Sequence, residues 1–415
     1  MLLTIALLMT VPAESPITPD ASAIDRLAKR GTTAIEADVP DYTLPPLPRT
    51  ASGEIDREEI VRTLREEMFG TVPNVAVTPS IGRAVPITLR DGTEAVHQTI
   101  TLTVTGGAAG DAETSTLTIR PQLFRPAGEG PFPCFIFLDH RSQADDTPED
   151  GPEATNYWDV PLLLRSGFAT VAVRVDEVDP DDRTPNFDDG IHALVAGDRD
   201  PQWSTLAAWA WAMSQTRRAA QTIPEIGPCI AVGHSRGGKT ALWAAASDDR
   251  FAGAVSNESG CGGATLSRRR LGETVRIINT TFPHWFAGRF KTYNDREGDL
   301  PHDQHWLIAA IAPRGAAVGS AAGDVWADPY GEWLALKAAA PAWGDEVADE
   351  LGDDPTVDSA RDAGPLHYHL RDGKHALLTS DWQRYIDWAD RLLADDDAMP
   401  SGASASSATE RERAD

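Results

Sequence analysis

The chain has 415 residues and a formal net charge of -26, from 63 acidic and 37 basic side chains. A field of that sign disfavours nucleic acid, whose recognition needs a basic footprint. No apolar run approaches the ~18 to 20 residues that a helix needs to cross a bilayer. With 41% apolar residues the chain can bury a sizeable core, and an α/β chain of this length reads as one large domain.

Five of the basic residues are lysines (Lys29, Lys239, Lys291, Lys337, Lys374) and the rest are arginines. So acidic and lysine-poor a surface resembles proteins of high-salt organisms, in which salt screens the self-repulsion of the compact state. The three cysteines, Cys134, Cys229 and Cys261, are too few for a disulfide framework but leave room for one bridge. None has zinc-site spacing.

In chain order, residues 1–13 read as a signal or a frayed end. LLTIALLMTV is apolar and Val11-Pro12-Ala13 fits a cleavage site, yet no Lys or Arg precedes the run. Secreted and cytoplasmic locations therefore stay balanced. Residues 14–55, rich in Pro, Thr and Asp, read as an extended lead-in on the surface. A single catalytic domain is expected over 56–394. It opens with a short amphipathic helix at 56–68, followed over 82–125 by short alternating runs that predict antiparallel strands. From residue 132 the pattern changes to continuous apolar runs: FPCFIFLD, FATVAVRVD (168–176), PCIAVGHS (228–235), FAGAVSNES (251–259), and a fifth within 306–320. Such runs suit strands buried on both faces. Helical segments lie between them (205–216, the segment after Ser235, PYGEWLALKAAA, SDWQRYIDWADRLL). Strands alternating with helices imply a mostly parallel central sheet in a three-layer αβα sandwich. Residues 395–415, mostly Ser, Ala, Gly and charge, read as a disordered tail.

The strongest motif is Gly233-His234-Ser235-Arg236-Gly237, a G-x-S-x-G between a buried strand and a helix. That is a nucleophile elbow of the α/β-hydrolase fold. The glycines remove side chains from a sharp turn, and the following helix directs its first N–H groups, Arg236 among them, at developing negative charge. The base should lie on a loop before the final helix, where His375 fits. His367 and His369 alternate on a strand (PLHYHL) and read as packed or rim residues. Two acids compete to orient the imidazole, Glu258 and Asp324. The usual order of the fold favours Asp324, which follows the later strand.

Six segments, the first of which contains the elbow, GHSRGGKTALW (233–243), DDRFAGAVSNESGCGGATLSRRRLGETV (248–275), FPHWF (282–286), LPHDQHWLIAAIAPR (300–314), DVWADPYGEW (324–333) and GKHALLTSDW (373–382), together resemble the glucuronoyl esterases, carbohydrate esterase family 15, in their bacterial form. The resemblance implies hydrolysis of 4-O-methyl-D-glucuronoyl esters that link glucuronoxylan to lignin alcohols, with no metal or organic cofactor. It also implies Ser235 as nucleophile, His375 as base, Glu258 as the usual acid with Asp324 as a second, and Arg236 supporting the oxyanion. Lys239, Glu273 and Trp326 match positions that contact the uronic acid ring. His234 stands where fungal members often carry Cys and is expected to be structural. The expected partner is a uronic-acid ester or glucuronoxylan–lignin fragment, bound by a monomer. An acetyl xylan esterase, and a carbohydrate-binding relative without turnover, are the alternatives.

Overall fold

The computed structural model describes residues 17–106, 115–141, 156–184, 187–195 and 202–394; the readings of residues 1–13 and 395–415 lie outside them. Twelve strands form one sheet. They are β1 (Ala76–Ile81), β2 (Val85–Thr88), β3 (Glu94–Gly106), β4 (Ser115–Ile119), β5 (Gln122–Pro126), β6 (Phe132–Asp139), β7 (Ala169–Arg174), β8 (Ile226–His234), β9 (Gly253–Asn257), β10 (Gly315–Ala321), β11 (Ser359–Ala363) and β12 (Leu366–Arg371). Their order is β1-β3-β5-β7-β6-β8-β9-β10-β12-β11, with β2 and β4 also paired to β3. The run from β7 through β6, β8, β9 and β10 to β12 is parallel. The strands before it and the last edge are antiparallel.

The continuous apolar runs are explained by what covers each face. On β6, Cys134, Ile136 and Leu138 join one core cluster and Phe135 and Phe137 join another. Alternate side chains point to opposite faces of a strand, so both faces must be apolar when helices cover both. One face carries the helices Thr205–Ala220 and Arg236–Ser247. The first is capped by Ser204, whose hydroxyl accepts the Ala207 N–H at 3.0 Å, satisfying one orphan donor of the first turn. The other face carries the terminal helix Thr379–Ala394, which buries Trp382, Tyr385, Ile386, Trp388, Ala389 and Leu392. That is the i, i+3, i+4, i+7 stripe of an amphipathic helix. No helix among the described residues is long and apolar enough to cross a membrane.

One expectation is corrected and one open question is answered. The lead-in is not extended throughout: Ala21–Ala28 forms a helix whose N-cap, Asp20, accepts the Ala23 N–H at 2.7 Å. It is also tied to the body. Arg269, fully buried, pairs with Glu36 at 2.7 Å and Asp328 at 2.7 Å, and the Pro45 carbonyl accepts His305 Nε2 at 2.9 Å and Trp306 Nε1 at 3.3 Å. The possible disulfide is not formed. Cys134 and Cys229 are partners across β6 and β8, and all three thiols are free and buried.

Candidate active site

Four parallel strands deliver their C-terminal ends to one rim, where ligand sites of open α/β sheets lie. β8 ends at His234 and leads to Ser235. β9 ends at Asn257 and leads to Glu258. β10 leads by a short turn to Asp324, and β12 leads through Arg371 to His375.

Ser235 is the N-cap of the helix Arg236–Ser247 and holds φ 56°, ψ −123°, a conformation that L residues adopt only when their surroundings impose it. Its N–H donates to the Asn257 carbonyl at 2.8 Å, and its own carbonyl accepts the Gly238 and Lys239 N–H groups. The turn is so tight that a Cβ on Gly233 would lie 2.2 Å from the Gly237 carbonyl carbon. Gly233 is therefore a steric requirement, whereas a Cβ on Gly237 would make only ordinary contacts at 3.5 Å or more.

His375 is brought to this turn. Its ring centroid lies 4.4 Å from that of His234, the residue before Ser235. Its Nδ1 donates to Asp324 Oδ2 at 2.6 Å and lies 3.3 Å from Glu258 Oε2. The two acids that the sequence sets in competition thus converge on one nitrogen, with Asp324 the nearer. Burial works against the imidazolium, but the hydrogen bonds and charges of Asp324 and Glu258 outweigh it and lift His375 from 6.5 to about 9. Glu258 is itself pushed up, by burial first and also by the charge of Asp324. Its N–H donates to Gly319 O at 2.7 Å.

The loop that carries His375 is clamped by residues that the motifs do not reveal. Arg371 Nη2 donates to Glu258 Oε1 and to the carbonyls of Lys374 and Ala376, the latter at 2.7 Å. Its Nε donates to both oxygens of Asp381 at 3.1 Å, and the Ala376 N–H donates to Glu258 Oε2 at 2.9 Å. One guanidinium thus joins the acid, the loop and the terminal helix. Arg371 closes β12 just before the loop that carries His375, but nothing in spacing announces a contact 113 residues away.

The three histidines that compete with His375 in the sequence, or precede the nucleophile, are placed as follows. His234 is buried, and its Nδ1 donates to Asn257 Oδ1 at 2.6 Å. Burial, followed by the charge of His375, holds it neutral, well below its ordinary range. His369 bonds Asp381 at 3.0 Å and His367 bonds Asp362 at 2.7 Å, both buried on β12.

The remaining expected residues line the same rim. Lys239 is fully buried, its ammonium given to the carbonyls of Ser259 and, at 2.7 Å, Cys261. Glu273 is buried and raised by that burial against the opposing charge of Lys239. Its N–H donates to Trp326 O at 2.9 Å. Trp326 is half-buried, and one face of its ring is covered by Arg30 of the lead-in at 4.6 Å. Among the described residues, Glu258, Asp324 and His375 are the group close enough to share a metal ion. Here Nδ1 is engaged as a donor to the carboxylates, which is how an orienting acid holds a base.

The model of the family described as "Glucuronyl esterase, fungi" matches residues 111–345. Carbohydrate esterase MZ0003, of an unknown prokaryotic organism, is 43% identical over 254 residues, 58% of this chain and 57% of that protein. The 4-O-methyl-glucuronoyl methylesterase 1 of Phanerochaete chrysosporium is 33% identical over 149 residues, 33% of this chain and 31% of that protein. The chain thus spans about half the length, or less, of these curated relatives. The solved structure of a promiscuous esterase of carbohydrate esterase family 15, from a marine bacterial metagenome, superposes with a TM-score of 0.75 at 33% identity, covering 87% of this chain and 100% of that one.

Proposed function

The chain belongs to carbohydrate esterase family 15, the glucuronoyl esterases, and from that premise we propose that it is a serine carboxylic-ester hydrolase acting on 4-O-methyl-D-glucuronoyl esters. The observation that carries the reading is the strained Ser235 beside a His375 whose Nδ1 is held by two carboxylates. An imidazole held through Nδ1–H presents Nε2 as its basic nitrogen.

In this reading Ser235 Oγ attacks the ester carbonyl while His375 Nε2 takes its proton. Asp324 and Glu258 stabilise the imidazolium. The oxyanion meets the N–H groups that open the elbow helix and the Arg236 guanidinium. The alcohol leaves with the proton, and water activated by His375 releases the uronic acid from the acyl-enzyme. Lys239, Glu273 and Trp326 serve the uronic acid ring. The name of the Phanerochaete relative supports the uronate, and the breadth in the description of the metagenomic relative supports including an acetyl ester as a control.

The test is hydrolysis of benzyl and methyl D-glucuronate beside an acetylated sugar. Uronate esters are expected to be turned over faster, and Ser235→Ala to lower kcat by roughly 10⁴-fold or more. Preference for acetate would remove the uronate assignment, and an active Ser235→Ala would remove the nucleophile.

A further inference from the structure

Arg236 follows the nucleophile and opens the elbow helix, so the position of its guanidinium decides what it can reach. That position is fixed from outside the motif. Nη1 donates to Asp181 Oδ2. The other oxygen of Asp181 accepts His284 Nε2 at 2.9 Å and the indole Nε1 of Trp285 at 2.8 Å. The Trp285 and Phe282 rings are stacked at 3.7 Å, and the guanidinium carbon lies 4.8 Å and 5.4 Å from their centroids. One side of the planar fork is thereby engaged by a carboxylate and bordered by aromatic rings. Its Nε, by contrast, has no hydrogen-bond partner among the described residues. The side chain keeps 23% of its surface open, and among the described residues its guanidinium makes no hydrogen bond other than that to Asp181. Since polar groups drawn into a folded interior are nearly always paired, its remaining donors on the residue after the nucleophile are free for a ligand.

We propose that Asp181 is a positioning residue for catalysis, aligning Arg236 so that its unpaired donor meets the oxyanion formed at Ser235. This rests on the role given to Arg236 above. A guanidinium on a flexible stem has several rotamers of similar energy. A carboxylate anchored by His284 and Trp285 selects one of them before substrate arrives, which is the preorganisation that oxyanion stabilisation requires. Asp181 does not touch substrate in this scheme. Its effect passes wholly through Arg236.

Asp181→Asn is close in shape and keeps an oxygen for His284 and Trp285, but it loses the charge that holds Nη1. On the best ester substrate, kcat is expected to fall about 10- to 100-fold, short of the roughly 10²- to 10³-fold loss typical when an oxyanion donor is removed, with KM changed less than threefold. The decisive measurement is the double-mutant cycle. In an Arg236→Ala background, Asp181→Asn should have no further effect on kcat. A merely structural Asp181 would instead lower kcat by the same factor in both backgrounds, and that result overturns the proposal, as does an Asp181→Asn enzyme with unchanged or higher kcat. Should Asp181→Asn prove unfolded by its melting curve, Asp181→Ser takes its place in the cycle: loss of its effect in the Arg236→Ala background supports the proposal, and an equal effect in both backgrounds overturns it. Benzyl D-glucuronate and 4-nitrophenyl acetate are assayed side by side. Turnover of acetate alone discards the uronate reading and leaves Asp181 to be judged on acetate, since the oxyanion is common to both. Absence of turnover on either ester overturns both readings.

Discussion

His375 carries two carboxylates on one nitrogen, and its basicity follows from that arrangement. With its pKa raised from 6.5 to about 9, the free enzyme holds the base protonated near neutrality, so kcat/KM should climb on an alkaline limb. The linked effect on stability has the opposite sense. A raised folded pKa contributes stability that is fully present below 6.5 and lost as pH rises through about 9, so the fold should soften where the base becomes competent. Asp324 lies at 2.6 Å against 3.3 Å for Glu258. Asp324→Asn is therefore expected to move the limb toward lower pH and to lower the plateau about 10- to 100-fold, less than the ~10⁴-fold seen when a lone triad acid is replaced, because Glu258 remains. A pH–rate profile of Asp324→Asn with an unmoved limb would assign the orienting role to Glu258 alone. At this scale the sequence is informative where chemistry needs a motif. Ser235, His375 and both acids are legible from the elbow and the chain order, and the structure brings His375 and the two acids together beside the elbow. Arg371, Asp381 and Asp181 are not legible, since their meaning lies in partners 113, 10 and 55 residues distant and in no spacing.

The elements explain which parts of the fold could be read in advance. β6 to β10 are buried on both faces and are therefore mostly apolar, as their sequences show, with a few buried polar residues such as Thr170, Ser256 and Asn257 that are hydrogen-bonded. β1 (Ala76–Ile81) and β11 (Ser359–Ala363) lie at the sheet edges, exposed or half-buried along most of their length. They carry no alternation, and β1 even contains Pro79, which edge strands tolerate. The helix Ala21–Ala28 is hidden in a stretch whose Thr, Pro and Asp content reads as loop. The elbow is the reverse case, a junction whose close crossing requires Gly233. In Gly233→Ala the new methyl meets the Gly237 backbone at 2.2 to 2.8 Å, and backbone cannot swing away as a side-chain end can. The strand and helix must part, at an expected cost of about 1–3 kcal/mol. Urea titration should show the lowered midpoint, together with loss of esterase activity as the Ser235 turn opens. An unchanged midpoint would mean that the crossing of β8 and the elbow helix is looser than these distances imply.

For the whole molecule the governing quantity is the net charge of -26. Some local ion pairs oppose its repulsion, but many are exposed, such as Arg62 with Glu59 and Glu66 or Lys29 with Asp25, and exposed pairs contribute about 0–1 kcal/mol each. Buried pairs, such as Arg269 with Asp328 and Arg268 with Asp303, lie where screening hardly reaches. Added salt therefore acts on two exposed terms of opposite sign: it weakens surface pairs, and it relieves the repulsion among the unpaired excess of carboxylates. With 63 acids against 37 bases, the second term is the larger. The Debye length falls from about 10 Å at 0.1 M to about 3 Å at 1 M salt, shorter than typical spacings between surface charges, so the gain should be largely complete by that point. The expected result is a melting temperature that rises with sodium chloride up to about 1 M and then levels. Sodium chloride is the proper probe, since sulfate stabilises most folds by exclusion from their surface. A melting temperature that stays flat or falls over that range would mean that the local pairs dominate, and the acidic, lysine-poor surface would then no longer count as an adaptation to high salt.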